Sequence, residues 1–245
     1  MSEDEPHTGD APILVTGCSS GIGLAVCERL LAASRPVFGV ARSEPPSERD
    51  GLDFERCDLS DLEATLALGE RLAKKPLAGA VLCAGAGRFG SLEEHSTHQI
   101  RRLIDLDLVS PMLLVRAILP SLKRRGEGRL VFLGSESARR AGAYGSVYSA
   151  AKFGLRGFAQ SLRAESARSG IGVTIVNPGM VRTPFFDDLD FEPGEDGDQA
   201  LVAADVAEVV LLALDARQGA VLDEIDLAPL KKVVRKKKSS SRKTK

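Results

Sequence analysis

The sequence predicts a single α/β domain with a doubly wound parallel sheet and helices on both of its faces. Three observations carry that prediction. Short apolar runs alternate with longer segments of helical periodicity along most of the chain, the pattern of βαβ units. The runs are close to continuously apolar, as in strands buried on both faces. The first run leads directly into a glycine-rich turn that opens a helix. A length of 245 residues suits one such domain.

Pro12–Thr16 is the first strand, and residues 21–34 form a helix with Leu24, Leu30 and Leu31 among its apolar positions. Pro36–Ala41 is the second strand, and 43–50 is a polar loop containing prolines. A third strand, Asp53–Cys57, precedes a helix at 60–74, and Ala78–Cys83 is the fourth strand. Residues 97–125 read as one long helix bent near Pro111, because proline removes an intrahelical donor. Arg129–Leu133 is a strand, 147–169 a helix and Ile171–Val176 a strand. The pattern breaks after Pro178 and resumes with a helix at 204–216 and a last strand, Val221–Leu227. The connections between parallel strands are expected to be right-handed. No internal repeat or second domain is visible.

The apolar fraction of 43% supports a true core, and 4% aromatics with no Trp make that core aliphatic. A net charge of −1 argues against general nucleic-acid or membrane binding. The charge is unevenly spread. Residues 231–245 carry nine Lys and Arg, from Lys231 to Lys245, and no acid. This stretch reads as a basic, disordered tail, either a solubilising extension or a weak, salt-sensitive contact for nucleic acid or an acidic partner. Residues 1–10 read as a flexible, acidic segment unlike a signal peptide. No apolar run is long enough for a membrane span, and a cytoplasmic location is expected. Cys18, Cys27, Cys57 and Cys83 show no metal-ligand spacing and read as buried reduced thiols; no metal is expected.

The turn Thr16-Gly17-Cys18-Ser19-Ser20-Gly21-Ile22-Gly23 has the context of a phosphate cradle in a Rossmann-like fold. Gly17, Ser19, Ser20, Gly21, Ile22 and Gly23 bring backbone amides and a helix N-terminus toward an anion. It lacks the Gly-Lys-Ser/Thr ending of a P-loop. The second strand ends at Ala41-Arg42-Ser43. An acid there would repel a ribose 2′-phosphate; Ala41 does not, and Arg42 can pair with it. NADP(H) is the cofactor this favours.

Tyr148 and Lys152 are four residues apart, on one helix face. A nearby ammonium favours the phenolate and is expected to lower the Tyr148 pKa, which suits proton exchange with a substrate oxygen. Ser135 follows a strand at the carboxyl edge of the sheet, where open α/β folds bind ligands. Its hydroxyl can stabilise developing charge on a carbonyl oxygen. Ser137 competes for that role, and either serine can instead cap the turn.

These ordered pieces resemble the short-chain dehydrogenase/reductase family from about residue 11 to 230. The matching segments are 16–23, Asp58-Leu59, Ala84-Gly85, Ser135, Tyr148-x-x-x-Lys152 and Asn177-Pro178-Gly179 with Thr183. The resemblance implies a hydride-transferring oxidoreductase acting on a carbonyl/alcohol pair, self-associating as a homodimer or homotetramer. It makes Tyr148 the general acid/base, gives Lys152 the nicotinamide ribose, and sets Ser135 on the substrate oxygen. Asp58 and Leu59 would meet the adenine, and Ala84 and Gly85 would line the cofactor. Pro178, Gly179, Val181 and Thr183 would meet the nicotinamide end. Two positions depart from the family: Cys83 stands where Asn is usual, and Asp107 stands where a proton-relay Asn is usual. Those departures and the tail leave a second reading, a catalytically weak NADP(H)-binding protein acting through a partner or nucleic acid. Phe185 and Phe186 lie in the segment expected over the substrate, where they can wall the site or pin the loop to the core.

Overall fold

The computed structural model describes residues 11–46 and 49–237. The expected segment 1–10 and the end of the tail, 238–245, lie outside the described residues. The first half of the chain contains β1 (Ile13–Thr16), α1 (Gly21–Ala32), β2 (Val37–Ala41), β3 (Leu52–Arg56), α2 (Leu62–Leu72) and β4 (Gly79–Leu82). After α3 (Thr97–Ile104) and α4 (Ser110–Arg125) come β5 (Gly128–Leu133), α5 (Ser146–Ser166) and β6 (Ile171–Pro178). A region of short strands follows: β7 (Val181–Arg182), β8 (Phe191–Pro193) and β9 (Leu201–Val202). The chain continues with α6 (Ala203–Leu214), β10 (Glu224–Leu227) and β11 (Val234–Lys236).

Seven strands form one parallel sheet in the order β10-β6-β5-β4-β1-β2-β3. The doubly wound fold read from the sequence is therefore present. Its order reverses between β1 and β4, which opens a crevice at their carboxyl ends. Alternation along the strands divides the core into two layers. Leu14, Leu130 and Phe132 pack on one face with Leu68, Leu114, Ile118 and Leu155. Ile13, Val15 and Val131 pack on the other with Val26, Leu30, Val206 and Val210. Helix ends follow local chemistry. The Asp61 carboxylate accepts from the Glu63 and Ala64 amides at the start of α2. Ser96 and Gln99 form a capping box on α3. Gly126, at φ 76°, ends α4 in the left-handed region.

The long helix expected over 97–125 is interrupted. A π-helical turn, Asp105–Val109, separates α3 from α4 just before Pro111. Pro111 lacks the amide that would bond the Asp107 carbonyl in a regular α-helix, and its ring would clash there. The extra residue in the wider turn relieves that conflict and leaves Asp107 buried at 1% exposure.

The tail also differs from its expected disorder as far as residue 237. β11 pairs antiparallel with β8, matching Val234 with Pro193 and Lys236 with Phe191. Two sequence features explain this. Val233 and Val234 give the basic run a β-compatible centre. The acids of 187–198 supply counter-charges: Lys231 pairs with Asp198 at 2.7 Å, and Arg235 pairs with Glu192 at 3.8 Å and with Glu195. No described helix is long and apolar enough to cross a membrane.

Candidate active site

The crevice begins at the glycine turn. Gly17 and Gly21 have φ of 71° and 53°, which β-carbon-bearing residues rarely adopt. A Cβ on Gly23 would come within 2.3 Å of the Gly17 carbonyl oxygen, so α1 packs against the turn only because that atom is missing. The Gly17 amide donates to the Val40 carbonyl at 2.7 Å, and Thr16 Oγ1 accepts from the Ala84 amide at 3.0 Å. These bonds tie β1 to both neighbouring strands. Ser20 caps α1 without turning its side chain onto the helix amides. The helix N-terminus therefore keeps donors free for an anion.

A cleft of about 410 Å³ runs from this turn. Gly17, Ser19, Ser20, Gly21, Ile22 and Gly23 line one side. Arg42, Asp58 and Leu59 line the far end, and Cys83, Ala84, Gly85 and Thr183 the near end. The residues read from the sequence as the phosphate cradle and the adenosine side of a cofactor thus share one surface, whose free helix amides suit an anionic dinucleotide. Arg42 is exposed and forms no ion pair among the described residues. Asp58 is fastened: it accepts from Ser60 N and Oγ at 3.0 and 2.7 Å and from Arg102 at 3.0 Å. Burial would raise its carboxyl, but these donors hold it below the usual range. Arg102 was not singled out by sequence reasoning, because its partner lies 44 positions away.

The cleft opens into a second chamber of about 250 Å³. Ile22, Cys83, Gly85 and Thr183 line both spaces. Ser135, Tyr148, Lys152 and Asp107 sit at its inner end, with Pro178, Gly179 and Val181 on the β6 side. The Gly179 amide is held by the Leu227 carbonyl at 2.7 Å. Tyr148 and Lys152 project from the same side of α5, one turn apart, and are 7% and 5% exposed. Ser135 lines the chamber beside Tyr148 and lowers the phenol's pKa against the larger effect of burial. Its Oγ accepts from the Ser137 amide at 3.1 Å, so Ser135 caps the turn and Ser137 supplies its backbone to that cap.

Lys152 Nζ donates to the Leu133 carbonyl at 3.2 Å and lies 5.6 Å from the Tyr148 ring centroid. It also forms an ion pair with Asp107 Oδ1 at 2.9 Å, with both side chains nearly solvent-free. Asp107 Oδ2 accepts from the Ala86 amide at 3.1 Å. Burial would lower the Lys152 pKa, but Asp107 and Tyr148 together hold it above its ordinary value. Burial raises Asp107 against the opposing pull of Lys152. Tyr148 differs from expectation. Burial pushes its phenol up and outweighs Lys152, and Asp107 adds to the rise. The ammonium does favour the phenolate, but a carboxylate shares its field.

Sequence reasoning missed part of the chamber wall: Phe89, Met180, Phe191, Glu136, Lys232 and Val234. Phe89 and Phe191 face each other edge-on at 5.0 Å, although they lie far apart in sequence. The alternation of 191–193 was too short to mark a strand. Phe185 and Phe186 line the chamber, and Phe185 also packs on the buried cluster of Leu103, Val147 and Tyr148. Cys18, Cys27 and Cys57 are buried. Burial pushes the thiols of Cys18 and Cys27 up to about 11 and about 12, and those of Cys57 and Cys83 upward as well.

Comparison with known proteins agrees with this geometry. A family model described as short chain dehydrogenase matches residues 11–192. Estradiol 17-beta-dehydrogenase 1 of Rattus norvegicus is 30% identical over 74% of this chain, which spans only 57% of that relative's length. Sepiapterin reductase of Chlorobaculum tepidum is 27% identical, covering 89% of this chain and 95% of the relative. A solved short chain dehydrogenase/reductase family protein superposes with a TM-score of 0.80 at 25% identity, covering 91% of this chain and 98% of the other. The chain belongs to the short-chain dehydrogenase family.

Proposed function

We propose that the chain is an NADP(H)-dependent oxidoreductase that interconverts a carbonyl compound and its alcohol. The observation that carries this is the meeting of Ser135, Tyr148 and Lys152 with the phosphate-cradle cleft across the shared residues Gly85 and Thr183. When bound, the nicotinamide supplies a hydride to the carbonyl carbon in reduction and accepts it in oxidation. The chain's residues handle the matching proton. The Tyr148 hydroxyl gives it to the carbonyl oxygen in reduction and removes it from the alcohol in oxidation. Ser135 orients that oxygen and shares its developing charge. Lys152 opposes the effect of burial on the phenol and can hold the nicotinamide ribose.

Arg42, unpaired among the described residues, supports a ribose 2′-phosphate and thus NADP(H) over NAD(H). Asp58 and Leu59 are assigned to the adenine end, with Ala84 and Cys83 beneath the dinucleotide. Pro178, Gly179, Val181 and Thr183 are assigned to the nicotinamide end. The names of the relatives, a dehydrogenase of estradiol and a sepiapterin reductase, are consistent with a carbonyl/alcohol pair. The reading of the tail as a contact for nucleic acid is weakened, because Lys231, Lys232 and Arg235 are already paired with the chain's own acids. Self-association as a dimer or tetramer belongs to the same proposal, and sedimentation at micromolar concentration tests it.

The cofactor assignment is tested by titrating NADPH and NADH into wild type and Arg42→Ala. The variant should lose NADPH affinity by at least about tenfold and leave NADH nearly unchanged. Equal losses for both cofactors would remove the 2′-phosphate contact.

A further inference from the structure

We propose that the chamber beside Tyr148 takes an uncharged, compact, ring-bearing ketone or secondary alcohol, and that β11 of the basic C-terminal segment is the wall that defines it. This rests on the oxidoreductase reading for the role of Tyr148, but it is argued from the wall itself.

Phe89 lies 5.3 Å from Tyr148 and 5.0 Å from Phe191, measured between ring centroids. Phe185 lies 6.1 Å from Tyr148 and 5.1 Å from Phe186, and Phe186 lies 5.8 Å from Phe191. Five rings, in a chain with only nine Phe and two Tyr, therefore surround one space. Tilted and edge-on rings at these spacings favour an apolar, ring-bearing guest. The only hydroxyls beside the general acid/base are Ser135, Ser137 and Thr183 among the described lining residues, enough to orient one oxygen.

The chamber's described lining contains two cations and two anions, and they are matched. Lys152 pairs with Asp107 at 2.9 Å, and Lys232 pairs with Glu136 at 2.7 Å. Beside the buried Lys152–Asp107 pair a carboxylate or phosphate on the substrate would find no spare cation, and an ammonium no spare acid, whereas the Lys232–Glu136 pair is half exposed to solvent. Burying such a charge unpaired is strongly unfavourable. The volume of about 250 Å³ lies just under the usual range of about 300–1,000 Å³ for small-molecule sites, and the nicotinamide end assigned to Pro178, Gly179, Val181 and Thr183 would take part of it, which points to a compact guest.

Lys232 and Val234 line the chamber. They are held there by the β8–β11 pairing and by backbone bonds from Gly194 N to Val233 O at 3.0 Å and from Lys237 N to Asp190 O at 2.8 Å. Lys237 Nζ also donates to the Asp187 carbonyl at 2.9 Å. The same segment thus joins the loop that carries Phe185, Phe186 and Phe191 and borders the space beside it.

The test uses a matched pair of ketones with the full chain: 4-nitroacetophenone, uncharged, and 4-acetylbenzoate, of nearly the same shape with one negative charge. Calorimetric binding is measured with and without NADP+, and turnover with NADPH is measured separately. The neutral ketone should bind more tightly by on the order of 100-fold. Val234→Lys, which adds an unmatched cation to the wall, should narrow or reverse that preference, and Phe89→Ala should weaken the neutral ketone. Equal or tighter binding of the carboxylate by the wild type, binding of neither ketone, or indifference of the preference to Val234→Lys would overturn the proposal. The two readings fail separately. Turnover of both ketones alike would sink the substrate class and keep the oxidoreductase. The binding preference without any turnover would keep the chamber and sink the oxidoreductase.

Discussion

Asp107 stands where the family resemblance leads to an Asn, and the fold buries it to 1% exposure. It sits in a solvent-free pair with Lys152 and accepts from the Ala86 amide. Its charge raises the Tyr148 phenol, on top of the larger effect of burial. Asp107→Asn removes that contribution, so the Tyr148 pKa should fall. In the oxidation direction, activity needs the phenolate and rises with pH through that pKa. The rise should therefore shift to lower pH in the variant. In reduction, activity needs the protonated phenol, so its alkaline loss should shift the same way. pH–rate profiles in both directions check this, and an unmoved or upward-shifted profile would contradict it. A stability prediction follows from the same pair. Lys152→Met leaves a buried carboxylate unmatched and should destabilise the fold by about 3–5 kcal/mol, a fall in Tm of roughly 6–20 °C at this size. Adding Asp107→Leu should recover most of the loss, and a double variant as unstable as the single one would show that the pair is not the cause. The sequence shows Asp107 as an unusual residue, but not its partner, because the separation of 45 positions from Lys152 is closed only by tertiary packing.

At the scale of elements, the strands and most helices were legible because each has a clear apolar run or periodicity. The exceptions share a physical reason. The break in the 97–125 helix lies at a π-helical turn, one residue wider than the α-helical register, and helical periodicity cannot distinguish a bend at Pro111 from an added residue before it. β7, β8 and β9 have two or three residues each, too few for any pattern. β11 was hidden by its charge: a run of Lys and Arg suggests disorder when read alone, but here acids of 187–198 lie opposite. That makes the strap electrostatic and subject to salt screening. Trypsin should cut within 231–237 slowly at low ionic strength and faster near 1 M salt, with the sheet core intact. Mass spectrometry of the products gives the rate, and salt-independent cleavage there would mean that the β8–β11 backbone pairing alone holds the segment.

At the scale of the whole molecule, the fold brings two spaces together at one edge of the sheet. The order reversal between β1 and β4 makes the cleft, and the carboxyl ends of β5 and β6 carry the chamber beside it. The cradle, Ser135, Tyr148 and Lys152 were all visible in the sequence because spacing and order mark them. The ring cluster was not, since its members come from four separate segments. Ligand linkage should reveal the cleft in the intact protein. NADPH at about 100 times its Kd should stabilise the chain by about 2.7 kcal/mol, or roughly 5–10 °C in Tm, and NADH at the same concentration should do less. Thermal melts with both cofactors check this, and equal shifts would contradict the preference assigned to Arg42. The most direct test of the central claim is NADPH oxidation with a neutral aryl ketone by wild type and Tyr148→Phe, with NADPH binding measured in parallel. The variant should bind NADPH normally and lose about 10²–10⁴-fold in rate; unchanged turnover would contradict the assignment of Tyr148 as the proton donor.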